Sequence, residues 1–282
     1  MNAINELDYI DIFEIKKHLK TNFIGKNIFY EEKVGSTNLM ARELAVKGAK
    51  NGTVVIADTQ DKGKGRNGKI WTSPKACNIY LSIILKPKFS PEAANGMTIL
   101  AATAAAESIK EISSITPQIK WPNDILINSK KVSGILTEMS TKNKIIEYII
   151  VGIGINVNLK EEDIPEDIKN VATSLYIEKM KIKKINKDDD LDDMLINRNN
   201  LIISFLNKFE RYYETFLSTG LSSILQSYQK YFGMIGKDVE INTENNKIKG
   251  QVVGIDSKGA LLIKTGENEL EKVISGELTV LV

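Results

Sequence analysis

The chain has 282 residues, 42% of them hydrophobic and 26% charged, with a formal net charge of +2. That length supports a sizeable core, and a nearly neutral balance gives no global attraction to nucleic acid, so any basic function must be local. One cysteine, Cys77, and one histidine, His18, exclude an intramolecular disulfide and Cys- or His-cluster metal sites, and leave no basis for Ser-His or Cys-His catalysis.

Residues 1–25 carry one short helix, holding His18 in "EIKKHLK", which is too little for a three-helix DNA-binding domain. The carboxylates of "MNAINELDYIDIFEIKKHL" fall where a signal peptide needs its apolar stretch, and no run of about 18 apolar residues occurs, so a cytoplasmic protein without a membrane span is expected. "STNLMARELAVKG" (36–48) predicts a helix capped by Ser36 or Thr37 and followed by Gly48. "GTVVIADTQ" is a β-branched strand that delivers the chain into "DKGKGRNGKIW" (61–71). "NIYLSIILKP" is a second strand, with Cys77 at its entrance expected as a small buried apolar side chain. Ser90 and Pro91 start a long helix whose alanine face predicts close packing on a sheet. Next, "PQIKWPNDILINSKKVSGILTEMS" reads as strand, turn at Pro122–Asp124, short strand, turn at Asn128–Lys130 and strand, and "KIIEYIIVGIGINVN" adds another.

From about residue 178 a basic block followed by an acidic one predicts a solvated linker or loop. Two helices follow, at 201–217 and about 221–232, and after Gly233 four short strands with polar turns predict a small β-barrel. The fold class is therefore α+β: a mostly antiparallel or mixed sheet with helices on its face, plus the C-terminal barrel. The expected division is a helical extension (1–25), a catalytic domain (26–232) and a β domain (233–282).

The chemistry concentrates in three places. In 61–71, Gly63, Gly65 and Gly68 let backbone approach a ligand or take positive φ, and Lys62, Lys64, Arg66 and Lys69 supply charge. The literal G-x-G-x-x-G is not a dinucleotide fingerprint, since "KIWTSP" follows where a helix should begin, and no GK[ST] makes it a P-loop. Taken alone, the stretch fits a solvated basic turn, a nucleic-acid patch or an anion-binding loop. "KWPNDI" and "KVSGIL" place Lys120, Asn123, Asp124 and Lys131 among apolar strand residues, where a lysine is costly without a partner or ligand. "GSTN" (35–38) offers hydroxyls and an amide at a helix start.

In this order, "GSTN", "DTQDKGKGRNGKIW", "KWPNDI", "KVSGIL" and "GIGINVN" resemble the biotin–protein ligases, also called biotin–acetyl-CoA-carboxylase ligases, from about residue 22 to the C-terminus. The resemblance implies the biotin/lipoate ligase fold, related to class II aminoacyl-tRNA synthetases, with an SH3-like C-terminal barrel. It implies ATP and biotin as substrates with Mg²⁺, a biotinyl-5′-adenylate intermediate, and transfer to one lysine of a biotin carboxyl carrier domain. At matched positions it implies biotin contact by Ser36, Thr37, Asn38, Gln60, Lys64, Gly65, Arg66, Lys131 and Gly134. Adenylate contact falls to Gly63, Lys64, Gly65, Arg66, Trp71, Asn123, Asp124, Lys131 and Asn156, with Lys131 and Arg66 catalytic and metal ligands unassigned. A homodimer through sheet edges is compatible with it, and specific DNA binding is not expected. Lys64 stands where the family usually has arginine, as Asn67 and Lys69 replace further arginines; lysine keeps the charge but loses the planar fork. Lipoate–protein ligation on the same fold, nucleic-acid binding through the basic loop, and ligand binding without turnover are the alternative readings.

Overall fold

The computed structural model describes residues 9–183, 194–244, 246–266 and 269–281. Its frame is a seven-stranded mixed sheet made of β1 (Ile28–Val34), β2 (Val54–Gln60), β3 (Ile79–Leu85), β4 (Gln118–Lys120), β5 (Asp124–Ile127), β6 (Lys130–Lys142) and β7 (Ile145–Ile155). The strand order is β1-β2-β3-β7-β6-β5-β4, with β1 and β2 parallel and the remaining pairs antiparallel.

The continuous apolar runs of β2 and β3 are explained by cover on both faces. Side chains alternate along a strand, so Val54 and Ile56 join the main core while Val55 joins a second cluster with Ala41, Ala45, Ile84 and Ile150. That second cluster is the seat of α2 (Thr37–Val46), whose alanines let it lie close to the sheet. On the opposite face lies α3 (Asn95–Ser113), with Ala101, Ala102, Ala104, Ala105 and Ala106 all buried between the sheet and α5 (Arg198–Thr219). Arg198, the first residue of α5, is fully buried and donates from Nη1 to Asp58 Oδ1 of β2 (2.8 Å) and to the Asn78 carbonyl (2.9 Å). α1 (Ile12–His18) is capped by Asp11, whose carboxylate accepts from the amides of Phe13 and Glu14, and α1 packs on α5.

The C-terminal unit is a five-stranded antiparallel sheet of β8 (Asp238–Asn242), β9 (Lys247–Ile255), β10 (Leu261–Lys264), β11 (Leu270–Val273) and β12 (Glu277–Val280), ordered β11-β10-β9-β8-β12. Its inner residues Val239, Ile241, Val252, Leu261 and Ile263 belong to the same continuous core as the large sheet. Trp121 Nε1 donates to the Gly259 carbonyl (3.1 Å) across the junction, and α6 (Ser222–Gln229) packs alongside.

The sequence reading differs from this in five places. A 3₁₀ turn over Pro91–Ala94, with Pro91 at its first position, precedes α3, which begins at Asn95. Residues 178–183, expected as linker, close α4 (Leu175–Lys183), since Leu175, Tyr176 and Ile177 bury its start; residues 184–193 of that stretch lie outside the described ones. β1 and β12 go unanticipated because "IFYEEKV" is mostly exposed at a sheet edge and "ELTV" is too short to show a period. Cys77 is only half-buried, in a turn before β3 rather than in the strand.

Candidate active site

β2 ends at Gln60 and the chain folds at once into a small hairpin. Trp71 N–H donates to the Gly63 carbonyl (2.9 Å), Gly65 N–H to the Lys69 carbonyl (2.7 Å), and a 3₁₀ turn over Arg66–Gly68 forms its tip. Gly63 is required by close approach: a Cβ there would lie 2.4 Å from the Trp71 carbonyl oxygen. Gly65 has room for a side chain and an extended backbone that any residue could adopt. The amides of Gly65 and Trp71 are committed within the hairpin.

The hairpin returns as Trp71, whose indole lies on the backbone of Gly154 and Gly134. A Cβ at residue 154 would meet the ring at 2.5 Å and one at 134 at 2.9 Å, so the two glycines make a floor that only a flat group can occupy. Around this floor is a slot of about 50 Å³. Ser36, Thr37 and Asn38 line it from the start of α2, Gln60 from β2, and Lys64, Gly65 and Arg66 from the hairpin. Asn123, Lys131 and Gly134 close it from the β4–β6 side. Ser36 occupies the cap position of α2 without a side-chain cap bond; the amide of Thr37 is instead taken by Gln60 Oε1 (2.8 Å).

Gly65, Arg66, Trp71, Asn123 and Lys131 also line a second, larger cleft of about 480 Å³, together with Asp124 and Asn156. Lys120, Lys69 and the C-terminal Glu277 and Leu278 complete its polar and outer wall. Of the residues assigned to biotin or adenylate contact, Gly63 alone lines neither cavity, being buried behind the Trp71 backbone.

Charge is arranged around the junction of the two cavities. Lys131 Nζ lies 2.6 Å from Asp124 Oδ1, an ion pair whose angles fall outside hydrogen-bond geometry, and 5.4 Å from the centre of the Trp71 ring. Arg66 Nη1 donates to Asn123 Oδ1 (2.8 Å), while Asn123 Nδ2 is held by the Ile135 carbonyl (3.1 Å). Burial pulls the Arg66 guanidinium below its ordinary pKa against the opposing pull of Asp124 and Glu277, yet a guanidinium stays charged. Lys120 is likewise lowered, first by burial and then by neighbouring Lys131, with Asp124 acting the other way. Glu277 is held below the usual carboxylate range by its hydrogen bond from Lys69.

Against this geometry, the Biotin/lipoate A/B protein ligase family model matches residues 31–156, and the Biotin protein ligase C terminal domain model matches residues 234–278. The bifunctional ligase/repressor BirA of Bacillus subtilis is 36% identical over 265 residues, covering 94% of this chain and 77% of that protein. The chain belongs to the biotin protein ligase family. A solved biotin protein ligase from Aquifex aeolicus, in complex with biotin and ATP, aligns with a TM-score of 0.73 at 30% identity, covering 91% of this chain and 99% of that one. The biotin–[acetyl-CoA-carboxylase] ligase of Mycobacterium tuberculosis is 34% identical over 146 residues, half of this chain and 52% of that protein.

Several side chains at the ligase site escape a motif reading. Ser73 accepts from Gln60 Nε2 (3.0 Å) and donates to the Trp71 carbonyl (3.0 Å), fixing the hairpin's exit. Ser82 and Glu138 contact Asn38 from β3 and β6. Ser82 did leave a signal, as the one aliphatic hydroxyl within the apolar run "IYLSIIL". Glu277 left none, since it reaches the cleft from a strand 200 residues away from the hairpin along the chain.

Proposed function

We propose that this ligase joins biotin to ATP as biotinyl-5′-adenylate and transfers the biotinyl group to one lysine of a biotin carboxyl carrier domain. The supporting observation is the junction itself. Lys131 and Arg66 line both the narrow slot and the wide cleft, so an acid held in the one meets a nucleotide held in the other beside two cations. The slot suits a mostly apolar acid with a few polar groups at Thr37 and Gln60. The cleft has the volume for a nucleotide, with Lys69 and Lys120 toward its outer wall for the phosphates.

In the first step a carboxylate oxygen attacks the α-phosphorus, the bond to the β-phosphate bridging oxygen breaks, and pyrophosphate leaves. No protein nucleophile is needed, which suits a chain with one exposed histidine and one half-buried cysteine. Lys131 offsets repulsion between the two anions and, with Arg66, stabilises the charge that builds on the phosphate oxygens. Asp124 and Asn123 hold those cations in place. Among the described residues no cluster of three or more Asp, Glu, His or Cys side chains forms a metal cage. Mg²⁺ would therefore come on the triphosphate, as it does when phosphate oxygens supply most ligands, with Asp124 and Glu277 the carboxylates lining the cleft. In the second step the acceptor amine attacks the acyl carbon, AMP leaves, and the amine's proton goes to solvent. No helix of the described residues is long and apolar enough to cross a membrane.

The test is incubation with ATP, Mg²⁺, biotin and a carrier domain, with lipoate in a parallel arm. Biotin incorporated at a single carrier lysine, dependent on ATP, is the expected result; incorporation of lipoate alone, or of neither, overturns the proposal.

A further inference from the structure

Ser82 is fully buried in the middle of β3. Its Oγ lies 2.8 Å from Thr37 Oγ1 and 2.7 Å from Asn38 Oδ1. A hydroxyl carries one proton, so Ser82 can donate to only one of them. Asn38 decides which. Its Nδ2 faces two groups that only accept, Glu138 Oε2 at 2.6 Å and the Leu136 carbonyl at 3.3 Å, so its oxygen is turned to Ser82. That amide oxygen cannot donate, and Ser82 therefore gives it the proton.

The geometry of the Thr37 contact admits Ser82 Oγ on the donor side and Thr37 Oγ1 on the acceptor side, so the Thr37 proton does not go to Ser82. It goes to Gln60 Oε1 at 3.3 Å, which is already turned toward Thr37 by the Thr37 backbone N–H. The Thr37 proton is thus held inside the protein. What Thr37 presents to the slot is lone pairs.

We propose that Ser82 and Glu138 are positioning residues that set ligand selectivity: acting through Asn38, they lock the Thr37 hydroxyl as an acceptor, so the slot takes a ring bearing an N–H donor, such as a cyclic urea. A ring without such a donor, such as a dithiolane, leaves those lone pairs buried and unpaired, which is the costly arrangement. The inference rests on the proposed function and adds to it the residues, outside every recognised motif, that choose between two acids of similar length.

The experiment measures binding calorimetry and pyrophosphate release on the full chain with biotin, biotin methylated at either ureido nitrogen, and lipoate. The wild-type protein is expected to prefer biotin over one of the methylated forms by about tenfold or more, the value of one buried hydrogen bond. Ser82→Ala is expected to weaken biotin about tenfold and to shrink that preference, raising KM for biotin while kcat and KM for ATP hold. Glu138 is exposed, so Glu138→Ala tests the same chain without touching the core, and a few-fold loss of the same sign is expected. Equal losses for biotin and both methylated forms, a fall in kcat with KM unchanged, or no effect of either variant overturns the positioning role and leaves the functional reading standing. A wild-type protein that releases pyrophosphate with no acid in the panel overturns the functional reading and this inference together.

Discussion

In the proposed reaction Lys131 sits between two anions, and it already pairs with Asp124. Lys131→Ala is expected to lower pyrophosphate release by about 10²-fold or more. Its melting temperature should stay near that of the parent, because a partly exposed ion pair contributes little to stability. Unchanged pyrophosphate release would remove Lys131 from the reaction. Glu178 carries a different kind of consequence. It is fully buried on α4, and although burial pushes its pKa up, hydrogen bonds from Lys181, Thr173 and Asn128 outweigh that and hold it below its ordinary value near 4.5. A carboxylate depressed in the fold stabilises above the unfolded pKa, and that stability drains as pH falls through about 4.5 and below. Glu178→Gln should therefore be less stable than the parent near neutral pH but show a shallower decline in acid, measured by urea unfolding across that window. At this scale, what the sequence could reveal was what lies close along the chain: Ser36–Asn38, Gln60 and the hairpin, Asn123, Asp124 and Lys131. Ser82 and Glu138 join Asn38 only through β3 and β6, so nothing in the spacing announces them.

The hairpin of 61–71 is the element on which access to the slot depends. With the indole on its glycine floor the slot holds about 50 Å³ and shares Trp71, Arg66 and Lys131 with the larger cleft, so displacement of the indole by ligand is an outcome that can be measured. The chain has two tryptophans, and Trp121 is fixed in the core, so emission changes report Trp71. Biotin with ATP is expected to shift the emission, and Trp71→Phe should abolish the shift; an unchanged parent spectrum would mean that the slot fills without displacing the ring. Long elements such as β2, β3, β7 and α3 were legible in the sequence because burial on both faces leaves them mostly apolar. α4 was not, because its buried start precedes the charged tail that dominates its composition. β1 was not, because an edge strand needs only a few inward residues.

The C-terminal sheet shares its core with the large sheet. Trp121, Ile99 and Leu221 pack against or bond to the turn at Gly259, and one continuous core runs through both. Calorimetry is expected to show a single unfolding transition; two separate transitions would mean that the C-terminal sheet is independently stable. This union was illegible beforehand, since strand order and the approach of Glu277 to the cleft depend on contacts between distant parts of the chain. The Lys69–Glu277 ion pair ties the C-terminal sheet to the hairpin that carries Trp71. If the emission test shows that ligand displaces the indole from its glycine floor, the indole and the ligand compete for one space. Apparent affinity is then the intrinsic affinity scaled by the fraction of molecules in which the indole has left. Every contact that steadies the closed hairpin, including one made by a strand of the other sheet, lowers that fraction and so sets how much biotin the enzyme requires before it begins to work.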